Sequence, residues 1–149
     1  MSTAATDTQA NIQLLCGACG MRNRLPFYRV VDAPACGNCH APLLDGRILS
    51  LRARHLPRLL ECRGPVAVIG IWPRGPEHRK LEKLLARSAT ELQGQILLFH
   101  TEDHDAPLLH LGLCIQEHPT LLALRDGHVI ARRSGRALAD LPQWLAGLA

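Results

Sequence analysis

Aromatic side chains are nearly missing from this 149-residue chain: two Trp, two Phe and one Tyr make up 3% of it. An interior of stacked rings is excluded, so Leu, Ile, Val and Ala must fill the core. Long hydrophobic runs are also missing. The longest, Val66 to Trp72, falls far short of the roughly 20 apolar residues that span a bilayer, so no membrane partner is expected. Met1 to Asn11 are small and polar, with no basic start leading into an apolar stretch, and no secretory leader is expected. No internal repeat or low-complexity tract is visible. Neither sign of charge dominates: 17 Lys and Arg face 13 Asp and Glu, split 8 against 4 through Gly64 and 9 against 9 beyond it. So weak a basic bias does not call for nucleic acid. The expectation is a soluble cytoplasmic protein, a compartment where paired cysteines point to metal or redox chemistry rather than structural disulfides.

What is present begins with cysteine pairs. Cys16-Gly-Ala-Cys19 and Cys36-Gly-Asn-Cys39 stand sixteen residues apart, the spacing of paired zinc knuckles. Each tight turn aims two sulfurs at one point, and two turns complete a tetrahedral shell with no open position. Two disulfides or four reduced thiols are the alternatives; compartment and spacing favour one structural zinc on Cys16, Cys19, Cys36 and Cys39. Gly17 and Gly37 are expected to relieve crowding in the turns. His40 reads as a solvated side chain, and Phe27 and Tyr28 as packing over the metal module.

Along the chain, residues 1–13 read as a disordered tail and 14–46 as a ribbon too small to hold itself together by apolar burial. Residues 47–149 read as an α/β domain. Strands are expected at Arg47 to Leu51, Val66 to Trp72 and Gln95 to Phe99, with helices at Leu56 to Cys62, after Pro76, and at Asp105 to Leu113. Thr120 to Arg125 and His128 to Arg133 flank Asp126-Gly127 as a hairpin, and a helix carrying Leu141, Trp144, Leu145 and Leu148 closes the chain. The order implies a central mixed sheet flanked by helices on both faces, its first two long strands parallel.

These residues resemble the bacterial thioredoxins that carry an N-terminal zinc ribbon. The likeness rests on the two cysteine pairs, on Asn23-Arg24-Leu25-Pro26 and Leu44-Asp45-Gly46, and then on the strand ending at Trp72, Gly75-Pro76, His118-Pro119-Thr120, Asp126-Gly127 and Trp144-Leu145. The resemblance implies a thioredoxin-like fold. It also implies a dithiol site, Cys-Gly-Pro-Cys, which here reads Arg74-Gly75-Pro76-Glu77. Both catalytic cysteines are absent, and the family's buried carboxylate is replaced by Gly70 or Val68. Arg74 puts a cation at a helix start that would otherwise stabilise a thiolate. The family's cis-proline loop maps to Pro119, whose neighbouring backbone can pair with an extended peptide.

The expected function is therefore a redox-inactive, polypeptide-binding adaptor or chaperone-like module with a groove at Trp72, Arg74, Pro76, His118 and Pro119. The alternative is an atypical thiol-disulfide oxidoreductase, with Cys114 as its candidate thiol. Cys62 and Cys114 otherwise read as inert. His100, His104, His110 and His118 show no ordered ligand shell, with His100 and His104 placed in a solvated loop. Arg132, Arg133 and Arg136 read as a charged edge that blocks strand association.

Overall fold

The structure, a computed structural model, describes residues 11–44, 46–73, 75–102, 119–134 and 139–149. Its first element is a small antiparallel ribbon, β1 (Asn11–Leu15) against β2 (Arg22–Pro26). A 3-10 segment, Phe27–Asp32, leads into the second knuckle. A five-stranded sheet follows: β3 (Ile48–Ser50), β4 (Val66–Ile71), β5 (Ile96–Thr101), β6 (Thr120–Arg125) and β7 (His128–Ser134), in the spatial order β3-β5-β4-β6-β7. β3 and β4 both run parallel to β5, while β6 and β7 are antiparallel additions. The helices are α1 (Leu56–Leu60), α2 (Arg79–Glu91) and α3 (Leu141–Leu148). The mixed α/β sheet expected from the sequence is therefore present. The helix expected at Asp105 to Leu113 lies outside the described residues, as do His104, His110, Cys114 and Arg136.

All six residues of β4 are buried, because the strand is covered on both faces. Val66 and Val68 meet α2 and α3 through Leu81, Leu85, Leu141 and Leu145. Ala67, Ile69 and Ile71 face the other way, where α1 supplies Leu56 and Leu59. The rest of that second face is covered by the ribbon: Leu14, Leu15, Cys16, Cys36, Leu43 and Leu44 join the same buried cluster. Ribbon and sheet thus share one core, and the division at residues 46 and 47 marks no gap in packing.

The expected tail through residue 13 is corrected at its end. Ile12 is buried, and the Gln13 N–H donates to the Arg63 carbonyl at 2.7 Å. Asn11, Ile12, Gln13 and Leu14 alternate polar and apolar, the pattern of a half-buried strand, and the sheet face gives Ile12 somewhere to go.

The hairpin between β6 and β7 turns on Asp126 and Gly127, both left-handed with φ of 51° and 84°, as a two-residue turn of this hand requires. A Cβ on Gly127 would also lie 2.5 Å from the Leu60 carbonyl oxygen. Gly70 has a different cause. The Trp72 ring lies across it, and a Cβ there would stand 2.2 Å from the indole. Gly70→Ala should therefore cost about 1–3 kcal/mol through overpacking, read as a lower urea midpoint with the slope unchanged.

Candidate functional site

The two knuckles are built alike. The Cys16 N–H donates to the Met21 carbonyl and Gly20 N–H to the Cys16 carbonyl; Cys36 and Ala41, then His40 and Cys36, repeat the pattern at 2.8 and 2.9 Å. The fifth position of each turn is left-handed, Gly20 at φ 80° and His40 at φ 65°. Gly20 and His40 therefore carry the turn geometry expected of Gly17 and Gly37. Gly17 is needed for packing instead, since a Cβ there would meet Leu49 at 2.8 Å, whereas one on Gly37 would make only an ordinary contact with Asn23 Oδ1 at 3.7 Å. His40 is exposed, as expected. Tyr28 is 65% exposed and does not cover the metal module.

These turns gather four sulfurs within 4.8 Å of one another. Cys16 and Cys39 Sγ are 3.6 Å apart, Cys19 and Cys36 Sγ 3.7 Å. The edge of a tetrahedron with Zn–S bonds of about 2.3 Å is about 3.8 Å. Backbone N–H groups of Ala18 and Asn38 donate to Cys16 and Cys36 at 3.4 Å. The side-chain amides of Asn23 and Asn38 donate to Cys36 and Cys19 at 3.5 and 3.6 Å. These two asparagines orient the ligands; Asn38 sits inside the second C-x-x-C and offered no separate sequence signal.

The electrostatics also ask for a cation. Burial opposes ionisation of Cys36, but the backbone and Asn23 donors outweigh it and hold its pKa at about 6. For Cys39 the Ala41 N–H favours the thiolate, yet desolvation and the three neighbouring sulfurs push the pKa up to about 12. Four thiolates this close repel one another, and a divalent ion at their centre lets all four ionise. The donor set fits one zinc ion.

A second region lies at the C-terminal end of the parallel strands. Ile71 pairs with Thr120, so Trp72 and Pro119 face each other across β4 and β6. Pro76 opens a 3-10 turn, Pro76–His78, that leads into α2; Pro76 and Glu77 are exposed. Arg74 and His118 lie outside the described residues. Pro119 is buried, and Trp72 is only 1% exposed. The expectation that Trp72 offers its ring to a ligand is corrected: the indole fills the space left by Gly70 and supports this end of the sheet from beneath.

The polar groups around that indole were missed from sequence. The Trp72 Nε1–H donates to Glu82 Oε1 at 3.1 Å, and His100 Nε2 donates to the Trp72 carbonyl at 2.9 Å. The His100 ring packs 4.3 Å from the indole. His100 belongs to β5 and is buried, not in the solvated loop its acidic neighbours suggested, because Gly70 is its partner on β4 and leaves it room. A cavity of about 140 Å³ opens beside these groups toward Ser50. His78, 6% exposed, has no hydrogen-bond partner on either ring nitrogen among the described residues.

Comparison with known proteins separates the two parts. Residues 15–41 match the family model described as thioredoxin 2, N-terminal, a zinc ribbon. Thioredoxin C-3 of Corynebacterium nephridii is 28% identical over 139 residues, covering 89% of this chain and 92% of that protein. The spinach chloroplast thioredoxin f structure aligns with a TM-score of 0.56 at 16% identity, over 70% of this chain and 86% of that one. Trypanosoma brucei brucei thioredoxin aligns at 0.56 and 15%, over 69% and 91%. The chain joins a thioredoxin-2-type zinc ribbon to a thioredoxin fold. Within this zinc-ribbon thioredoxin fold, the helix start holds Gly75, Pro76 and Glu77 and no sulfur. Cys62 is the only described thiol outside the ribbon. It lies at the opposite end of β4 and donates to the Arg58 carbonyl; burial pushes its pKa up to about 11. At the charged edge, Arg133 turns back to pair with Asp140 and lies 6.0 Å over the Trp144 ring. Among the described residues, no helix is long and apolar enough to cross a membrane.

Proposed function

We propose that this protein is a polypeptide-binding module that runs no dithiol cycle, with its groove at the end of the sheet that carries Trp72 and Pro119, ahead of the turn that Pro76 opens. The observation that carries the reading is the thiol-free helix start beside the Trp72 and Pro119 strand ends. An extended segment seated there would pair with backbone next to Pro119, as in strand addition. Arg74, two residues before Pro76 in the sequence, would favour acidic side chains, and His118 would change charge between about pH 5 and 8. The name of the similar thioredoxin C-3 suggests disulfide chemistry, but this chain keeps neither cysteine of the Cys-Gly-Pro-Cys motif. A cytoplasmic location suits four thiolates that must stay reduced to hold zinc.

The test takes a polypeptide captured by crosslinking and measures its affinity for wild type, Arg74→Glu and His118→Ala, with melting temperature checked in each. A charge-assisted contact contributes about 1.5–3 kcal/mol, so Arg74→Glu should weaken binding about tenfold or more. Unchanged affinity in both folded variants would place the partner elsewhere.

A further inference from the structure

All eight cationic residues through Gly64 are arginines, and three of them, Arg52, Arg54 and Arg58, fall within seven residues of chain. Arg52 follows β3, Arg54 lies in the 3-10 turn Ala53–His55 and Arg58 in α1, and all three are exposed. Arg58 Nη1 donates to the Gly20 carbonyl of the first knuckle at 2.9 Å, and Arg54 Nε to His55 Nε2 at 3.3 Å. The His55 ring is buried against Gly20 and marks the centre of the group. Its pKa is lowered by burial first, and then by each of the three guanidinium charges. Of the other arginines before Gly64, Arg22 pairs with Glu61 and Arg29 with Asp32. Among the described residues, no carboxylate pairs with Arg52, Arg54 or Arg58. Three like charges within seven residues of chain repel one another, and a bound anion would relieve that cost.

We infer that Arg52, Arg54 and Arg58 form a docking surface for an acidic polypeptide segment. The chemistry favours a peptide over nucleic acid on two counts. Nucleic-acid affinity is built from many phosphate contacts along a basic stripe, commonly about 6–10, whereas this cluster covers seven residues of chain and ends at Glu61 and the thiolate centre. Unpaired bases also need aromatic platforms, and among the described residues Tyr28 is the one exposed Phe, Tyr or Trp side chain. Two or three carboxylates on an extended chain match three guanidinium groups. The surface stands without the groove proposed above. It does lie at the same end of the sheet, since β3 and β4 both run parallel to β5 and Arg52 follows the end of β3 as Trp72 follows β4. The two outer strands of that trio are about 10 Å apart, so one extended chain could reach both.

The experiment titrates the zinc-loaded full chain with a fluorescent oligoglutamate peptide, with an oligothymidylate of equal length, and with inorganic phosphate, at low and at physiological ionic strength. The variants are Arg52→Gln/Arg54→Gln, Arg52→Glu/Arg54→Glu, and Arg87→Glu as an exposed control on α2. Substitution of exposed arginines leaves melting nearly unchanged, which is checked in each variant. The surface predicts saturable, salt-weakened peptide binding that falls at least tenfold in the Gln pair, further in the Glu pair, and less than twofold in Arg87→Glu. Tighter binding of the oligothymidylate, equal loss in the Arg87→Glu control, competition by phosphate as strong as by peptide, or no peptide binding at low salt would each overturn it.

Discussion

Replacing Cys36 with serine is expected to unfold one whole side of the sheet and not the ribbon alone. Cys36 is 1% exposed and belongs to the same buried cluster as Leu51, Ile69, Phe99 and Leu122. Loss of one ligand removes the charge balance that lets four sulfurs crowd within 4.8 Å. Structural zinc contributes apparent free energies of about 10–16 kcal/mol in small peptides, comparable with the roughly 5–15 kcal/mol that hold an entire domain together. The knuckles cannot persist without it, and with them go Leu14, Leu15, Leu43 and Leu44, which share one buried cluster with Ile69 and Phe99. In hydrogen exchange, the amides of β5 should lose protection together with those of β1 and β2, and a chelator should reproduce the effect in wild type. Protection retained in β5 of a zinc-free variant would show that ribbon and sheet are energetically separate.

That coupling was not legible in the sequence, although much else was. The quartet announces itself through spacing, because the geometry of C-x-x-C is local. β4 and β5 were visible as continuous apolar runs, and the hairpin through Asp126-Gly127, because each signal lies within one short segment. Whether Leu14, Leu15, Leu43 and Leu44 close over their own module or over a neighbour is a tertiary fact that the pattern leaves open. His100 shows the same limit. Its acidic neighbours suggested a solvated loop, but strand pairing with Gly70 sets it inside the fold, and no local feature connects residues thirty apart. Trp72 reads as a groove residue only while Gly70 is overlooked; a glycine two residues before a tryptophan in a fully buried strand was the available clue to a ring folded back. The second knuckle hides its left-handed residue because His40 stands where the first knuckle has Gly20.

Whether this thioredoxin fold still exchanges disulfides decides between a binding module and an oxidoreductase. Arg74 and Glu77 hold no sulfur, so no mixed disulfide can form at the helix start. The zinc shell closes the four ribbon thiolates to substrates. With its pKa pushed up to about 11, Cys62 would be a thiolate in only about one molecule in ten thousand at pH 7, and it sits at the far end of β4. The direct measurement is reduction of insulin disulfides by the zinc-loaded protein, with dithiothreitol as reductant and again with a thioredoxin reductase and NADPH. The result expected is no rate above the reductant alone. A rate comparable with an intact dithiol thioredoxin, abolished by Cys114→Ser or Cys62→Ser, would contradict the account.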